Sequence, residues 1–298
     1  MKRFIEKIRG VKKPFQVEVP TRPIPKDGVP TETSEESRHL EPPQLIVGCA
    51  QSVGKQRDHN EDAIFTLTTM VTSDSTTIPF GLYIVADGMG GHQHGEVASG
   101  IAIRTMASYI VRKLYSPLLN PKPHNPDDSL LEIMQEGVQE AHRAITRQVP
   151  GGGTTMTAAL ILGDQMTIAH VGDSRAYLVS PKGSIEPLTR DHSLVKRLVE
   201  LGQITTDEAA VHPQRNVLYR ALGQGEPFDP DINSMHLPDS GFLFLCSDGL
   251  WGVVSDTEIQ SLISKSFTPE EACHRLVEAA NDAGGPDNIS AILIRLPG

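Results

Sequence analysis

The amino-acid sequence predicts an α+β fold built on antiparallel sheets, and three observations carry that prediction. Short β-branched or aromatic runs bounded by Gly, Asp or Pro come in groups, at 44–51, 62–70, 80–87, 155–162, 165–171, 175–180, 242–247 and 288–296. Helical periodicity comes in long pairs, 95–115 with 128–147 and 255–265 with 269–283, beside a shorter stretch at 193–202. Two Gly-Asp turns, Gly163-Asp164 and Gly172-Asp173, break the run "ILGDQMTIAHVGDSRAYLV" in the manner of antiparallel hairpins. Grouped strands and paired helices favour this class over a doubly wound parallel sheet.

The globular pattern begins at "QLIVGCAQSVG". Leu82, Ile84, Val85 and Ala86 then read as a strand that enters the core and stops at Asp87, before a glycine turn. In 95–115, Val97, Ile101, Ala102, Met106 and Ile110 fall near one helical face; in 128–147, Leu131, Met134, Val138, Ala141 and Ile145 do the same. The prolines of "SPLLNPKPHNPDD" stop both helices, and the pair is expected to cover one sheet. "PGGGTTMT" lacks the Gly-Lys-Ser/Thr of a phosphate-binding P-loop and reads as a turn into a strand.

Residues 1–43 differ from the rest. Seven prolines between Pro14 and Pro43, with scattered acids and few large apolar residues, give the composition of a disordered tail or linker. Six of the first 13 residues are Lys or Arg, while Phe4, Ile5, Ile8 and Val11 share a helical face. Such a segment can lie on an anionic membrane surface or dock to a partner. A solvated tail is the simpler reading, because short isolated helices are weak in water. The folded domain is expected over 44–298.

The formal net charge of −10, from 37 acidic and 27 basic residues, argues against nucleic-acid binding. Three cysteines, Cys49, Cys246 and Cys273, without CxxC spacing argue against a disulfide framework or a structural zinc and fit a reducing, cytoplasmic setting. No apolar run approaches the about 20 residues of a transmembrane segment, and "MKRFIEKIRG" lacks the apolar stretch of a secretory signal.

Charged residues recur where apolar runs end. A buried lone carboxylate is costly and is either paired or bound to metal. Asp87 ends one run, and "FLFLCSDGLWG" repeats the device with Asp248. Asp287 and Asn288 open another in "AGGPDNISAILI", Asp173 sits in a turn, and Glu61 and Asp62 stand at the mouth of a further strand in "RDHNEDAIF". A single Asp-Gly is more often a plain turn, but five cases at apolar strand ends point to one site. Close carboxylates cannot all stay ionised without a counter-charge. An all-oxygen donor set suits Mg²⁺ or Mn²⁺ rather than zinc or copper, and Gly88 leaves room for a backbone carbonyl to approach a metal.

"RDHNEDAIF", "VADGMGGH", "GTTMTAALI", "HVGDSRAYL", "LTRDHS", "HPQRNVLYRALG", "CSDGLWGVVS" and "GGPDNIS" occur in this order. Together they resemble the successive motifs of the type 2C (PPM-class) metal-dependent protein serine/threonine phosphatases, in the bacterial style, over about residues 44–296. The resemblance implies a four-layer α-β-β-α sandwich, two antiparallel β-sheets flanked by paired antiparallel helices. It implies that Asp87 bridges two metal ions, that the Gly88 carbonyl serves the second, and that Asp248 and Asp287 complete the first. It implies that Asp173 serves a third, weaker ion, that Glu61 and Asp62 hold metal-bound waters, and that Arg57 grips the substrate phosphate. Residues 188–218 match a mobile flap beside the site.

In that chemistry two metals roughly 3.5–4 Å apart lower the pKa of a water and shield the phosphate charge. Arg57 suits the phosphate because its planar fork binds two oxygens at once; outside the motif it reads as a surface ion pair with Asp58 or Glu61. The leaving alkoxide needs a proton. Eukaryotic relatives carry a histidine directly after the Asp-Gly pair where this chain has Met89, so His92, His59 or a metal-bound water is left for that role. "GDSRA" lacks the G-x-S-x-G elbow of a serine hydrolase.

The expected function is hydrolysis of phosphoserine and phosphothreonine on proteins targeted by a serine/threonine kinase, by a monomeric cytoplasmic enzyme. Two other classes stand beside it: a non-catalytic phosphoprotein-binding relative, which loss of a metal carboxylate would mark, and a two-metal enzyme acting on small molecules or nucleic acid.

Overall fold

The computed structural model describes residues 44–297, apart from 74–75, 91–92, 121–127, 182 and 226–227. The basic and Pro-rich tail read at 1–43 and the candidate proton donor His92 lie outside the described residues.

In chain order the elements begin with β1 (Ile46–Ser52), β2 (Asp62–Ser73), β3 (Thr76–Met89), α1 (Gln93–Ile110), α2 (Ser116–Leu118) and α3 (Leu130–Gln148). They continue with β4 (Gly153–Thr154), β5 (Met156–Leu162), β6 (Gln165–Val171), β7 (Arg175–Val179), β8 (Ile185–Pro187), α4 (Leu194–Glu200) and α5 (Thr206–Ala210). β9 (Asp231–His236), β10 (Phe242–Cys246), α6 (Asp248–Trp251), α7 (Asp256–Ser264), α8 (Pro269–Asp282) and β11 (Ile289–Arg295) complete the chain. One sheet has the order β1-β11-β10-β7-β8; the other has β2-β3-β5-β6-β9, with β4 paired to β3. All named pairings are antiparallel.

Three apolar clusters separate four layers. Leu82, Ile84 and Ala86 of β3 pack with Ala98, Ala102, Met106 and Ile110 of α1 and with Met134, Val138, Ala141 and Ile145 of α3. Phe244 and Cys246 of β10 and Ala291 and Leu293 of β11 pack with Ile259 of α7 and with Cys273 and Leu276 of α8. Tyr83, Val85, Leu243, Leu245, Ile292 and Ile294 meet between the sheets. Alternate residues of one strand thus feed different layers, as the two-residue period of a strand requires. Both faces are covered, so these strands read as continuous apolar runs. This is the expected α-β-β-α sandwich.

Several details differ from the sequence expectation. Val97 and Leu131, expected on the apolar faces, are exposed. Ala98 takes the inward position in α1, and the α1 core face continues through Ala102, Ile103 and Met106. β3 does not stop at Asp87 but runs on through Met89, held by pairing of Gly88 and Met89 with β4. The Gly163-Asp164 turn makes the β5–β6 hairpin, whereas Gly172-Asp173 carries the chain from one sheet to the other, since β6 and β7 belong to different sheets. β4, β8, β9, α2, α5 and α6 have no counterpart among the elements the sequence predicts. β9 is mostly exposed, and its sequence DINSMH shows no apolar run. Among the described residues no helix is long and apolar enough to cross a membrane.

Candidate active site

The site forms where the layer between the sheets changes from apolar to polar. On β3, Tyr83 and Val85 face the opposite sheet, and two residues on the same face presents Asp87. Its cross-strand partner on β2 is Asp62. On β10 the same parity leads from Leu243 and Leu245 to Ser247, and on β11 it leads from Ile294 and Ile292 back to Ser290 and Asn288. Every inward position at this end is therefore polar.

These groups form a connected framework. The Ser247 and Ser290 hydroxyls each donate to Asp62 Oδ2 at 2.7 Å. Asn288 fastens the loop that carries the N-terminal motif: its Oδ1 accepts from Glu61 N at 2.8 Å, and its Nδ2 donates to Val53 O at 2.8 Å and His59 O at 2.9 Å. Asp87 N donates to Thr155 Oγ1 at 2.9 Å, and Asp87 O accepts from Thr154 Oγ1 at 2.8 Å. Gly88 is a close-approach glycine: a Cβ there would lie 2.2 Å from Gly95 O and 2.6 Å from Glu61 O.

Above the framework lies a cavity of about 490 Å³. Arg57, His59, Glu61, Asp87, Gly88, Asp173, Asp248 and Asp287 all line it. Asp62 sits beneath the floor, 8% exposed, rather than on the lining. Two flap residues, Asn216 and Leu218, complete one wall. Arg57 Nη2 pairs with Asp287 Oδ2 at 2.7 Å on the rim, not with Asp58 or Glu61. His59 Nε2 lies 3.1 Å from Glu61 Oε1.

Burial and mutual repulsion raise the carboxyl pKa values. Asp87 is pushed well above the usual range by burial and then by Asp62 and Asp248. Asp173 is pushed up by burial and then by Asp248, and Asp248 by burial and then by Asp287. Asp62 is raised to about 7, mainly by burial, against the pull of its two serine hydrogen bonds.

Among the described residues, no three His, Cys, Asp or Glu side chains are arranged so that they could hold a metal ion as they stand. Asp87, Asp173 and Asp248 lie close enough to raise one another's pKa, and Asp287 is taken by Arg57. The donor set nevertheless fits a hard divalent cation. All its donors are oxygens. Two buried carboxylate oxygens, Asp62 Oδ1 and Asp248 Oδ1, have no hydrogen-bond partner, although buried polar atoms are nearly always satisfied.

The sequence reading missed the second layer of the site, Ser247, Ser290, Thr154 and Thr155. Period-two continuation of the inward strand positions locates the two serines. Nothing local in the sequence marks the threonines, whose role depends on β4 and β5 lying beside β3.

The fold is a two-sheet α-β-β-α sandwich with an acid-lined cavity at one end of the sheets, and comparison with known proteins gives its class. The protein phosphatase 2C family model matches residues 48–289. The chain is 35% identical over 247 residues to serine/threonine phosphatase stp of Listeria monocytogenes, covering 81% of this chain and 92% of that protein. It is 33% identical over 255 residues to protein phosphatase PhpP of Streptococcus pneumoniae, covering 85% and 98%. The structure of the Mycobacterium tuberculosis serine/threonine phosphatase PstP/Ppp superposes with a TM-score of 0.71 at 32% identity, covering 86% of this chain and 100% of that one. A PstP catalytic domain in complex with two manganese ions gives a TM-score of 0.69 at 31% identity, covering 86% and 99%. The chain belongs to the protein phosphatase 2C family, whose members are metal-dependent protein serine/threonine phosphatases.

Proposed function

We propose that residues 44–298 hydrolyse phosphoserine and phosphothreonine esters on proteins at the cavity where Glu61, Asp87, Asp173, Asp248 and Asp287 meet, with residues 1–43 a separate tail. Asp87, Asp248, Asp287 and the Gly88 carbonyl would hold two Mn²⁺ or Mg²⁺ ions there; Asp173 would serve a third, weaker ion, and Glu61 and Asp62 would act through bound water. Cations so held supply a water of lowered pKa and neutralise the charge of the phosphate.

The protein's own groups do the rest. Arg57 stands 2.7 Å from Asp287 and nearly half exposed, so its fork is free to leave that carboxylate and take two phosphate oxygens. Among the described residues His59 is the histidine on the cavity lining, placed to deliver a proton to the leaving alkoxide. Ser247, Ser290 and Asn288 keep the floor rigid, so little reorganisation accompanies the reaction.

One observation carries the reading: carboxylates from distant parts of the chain converge on one cavity, where burial and mutual repulsion raise Asp87, Asp173 and Asp248. The test is hydrolysis of a phosphothreonine peptide with and without Mn²⁺. Wild-type turnover requires the cation. Asp87→Asn and Asp248→Asn each lower it about a hundred-fold or more while the cation-free melting temperature stays level or rises, because a buried repulsion is removed. Cation-independent turnover, or wild-type rates in both variants, contradicts the proposal.

A further inference from the structure

Six acids line the cavity: Asp58, Glu61, Asp87, Asp173, Asp248 and Asp287. The function proposed above gives five of them a cation or its waters and leaves Asp58 without a task. The sequence offers Asp58 as an ion-pair partner for Arg57, but Arg57 turns to Asp287 instead, at 2.7 Å. Asp58 is exposed, and among the described residues no hydrogen bond or ion pair engages its carboxylate.

The main chain around Asp58 is nevertheless fastened. Asn288 Nδ2 donates to Val53 O at 2.8 Å and to His59 O at 2.9 Å, and Asn288 Oδ1 accepts from Glu61 N at 2.8 Å. Gly285 O accepts from Lys55 N at 2.8 Å and from Gln56 N at 3.1 Å. Arg57 and Asp58 therefore sit between fixed points on either side, at Gln56 and His59. A charge presented on a pinned loop is engaged with little ordering cost.

That charge acts on whatever enters. Neighbouring α-carbons lie about 3.8 Å apart, so Asp58 stands one residue from the group that takes the phosphate. An unpaired acid there repels an incoming phosphate dianion and attracts a cationic side chain carried beside it. Arg57 is the one Lys or Arg on the lining, and the phosphate occupies it. The flap residues of the wall, Asn216 and Leu218, are uncharged. An arginine or lysine of the substrate thus meets Asp58 at the mouth with no cation of the lining competing for it. Selectivity then comes both from the contact with a basic substrate and from the penalty on an acidic one.

We propose that Asp58 is a specificity-determining residue, which selects phosphopeptides carrying an arginine or lysine within two residues of the phosphorylated side chain. Its carboxylate receives the cationic head group. The proposal rests on Arg57 taking the phosphate at this cavity, as proposed above.

The test uses the full chain with Mn²⁺ and three phosphothreonine peptides of one length, with arginine, alanine or glutamate at the two positions on each side. p-Nitrophenyl phosphate, which has no flanking residues, is measured beside them. In wild type kcat/KM falls in the order arginine, alanine, glutamate, with about a ten-fold span, because an exposed attraction and an exposed repulsion are each worth up to a few-fold. Asp58→Asn lowers the arginine-to-glutamate ratio about three-fold or more, and Asp58→Lys reverses the order. Asp164→Asn removes the same charge from an exposed acid on the β5–β6 turn, off the cavity lining, and keeps the wild-type ratio. Salt compresses the wild-type span, since the screening length shortens from about 10 Å at 0.1 M to about 3 Å at 1 M. Asp58→Asn hydrolyses p-nitrophenyl phosphate at the wild-type rate or faster. A wild-type ratio of one or below overturns the proposal, as does a ratio that Asp58→Asn leaves unchanged or that Asp164→Asn lowers equally. Loss of p-nitrophenyl phosphate turnover in Asp58→Asn also overturns it, by placing Asp58 in the chemistry rather than in selection. A wild-type chain that hydrolyses none of the four substrates overturns the proposed function instead.

Discussion

Asp62 and Asp87 stand directly opposite on neighbouring strands, and their environments divide their work. Asp62 lies under the floor with two serine donors on one oxygen, whereas Asp87 lines the cavity. Asp87, Asp248 and Asp287 were legible from the sequence because each stands where an apolar run begins or ends. Asp62 was legible as an acid but not as a buried one, because its burial depends on serines 185 and 228 residues away. The assignment of His59 has a direct consequence. A serine alkoxide needs a proton to leave, whereas p-nitrophenolate does not. His59→Gln is expected to slow hydrolysis of a phosphoserine peptide about ten-fold or more and to leave p-nitrophenyl phosphate nearly unaffected. Equal losses on both substrates would remove His59 from that role.

At the scale of elements, α6 is a four-residue helix with two functions. Its first residue is Asp248, and its last, Trp251, donates to Asp173 O while lying beneath Arg175. Trp251→Phe keeps an aromatic ring, though a smaller one, and removes the donor to Asp173 O. We expect a loss of about 1 kcal/mol, the usual size of one such hydrogen bond, read as a melting temperature lower by about 2–4 °C; an unchanged melting temperature would show that the Asp173 turn does not depend on this bond. The layered architecture was legible because strands covered on both faces read as unbroken apolar runs. β9 was not legible, since its exposed polar residues carry no period. The hairpin expected at Gly172-Asp173 became a crossover because turn chemistry is local, whereas the choice of sheet is decided by distant strands. That crossover puts Asp173 between the sheets and beside Asp248, where a hairpin would have left it on one edge.

At the scale of the whole molecule, the clustered acids make stability depend on pH and on cations together. Asp62 titrates near 7 in the fold, and Asp87, Asp173 and Asp248 are also raised, against about 3.9 in an unfolded chain. Below pH about 4 both states hold their protons. As pH rises toward 7 the unfolded chain has released protons that the fold retains, so this contribution to stability is lost. A divalent cation bound there, as proposed, would remove the penalty by pairing with the ionised carboxylates. The rise in melting temperature on adding Mn²⁺ should therefore be larger at pH 7.5 than at pH 5.5, and an equal or larger rise at the lower pH would argue against a carboxylate site. His170, lowered to about 4 by burial, has the opposite dependence, but it acts alike with and without cation and cancels in the difference. The most direct measurement is a calorimetric titration of the cation-free chain with Mn²⁺. Two tight equivalents and a weaker third are expected, the tight pair abolished by Asp87→Asn and the third alone by Asp173→Asn. No saturable binding, or binding indifferent to Asp87→Asn, would contradict a site built from these converging acids.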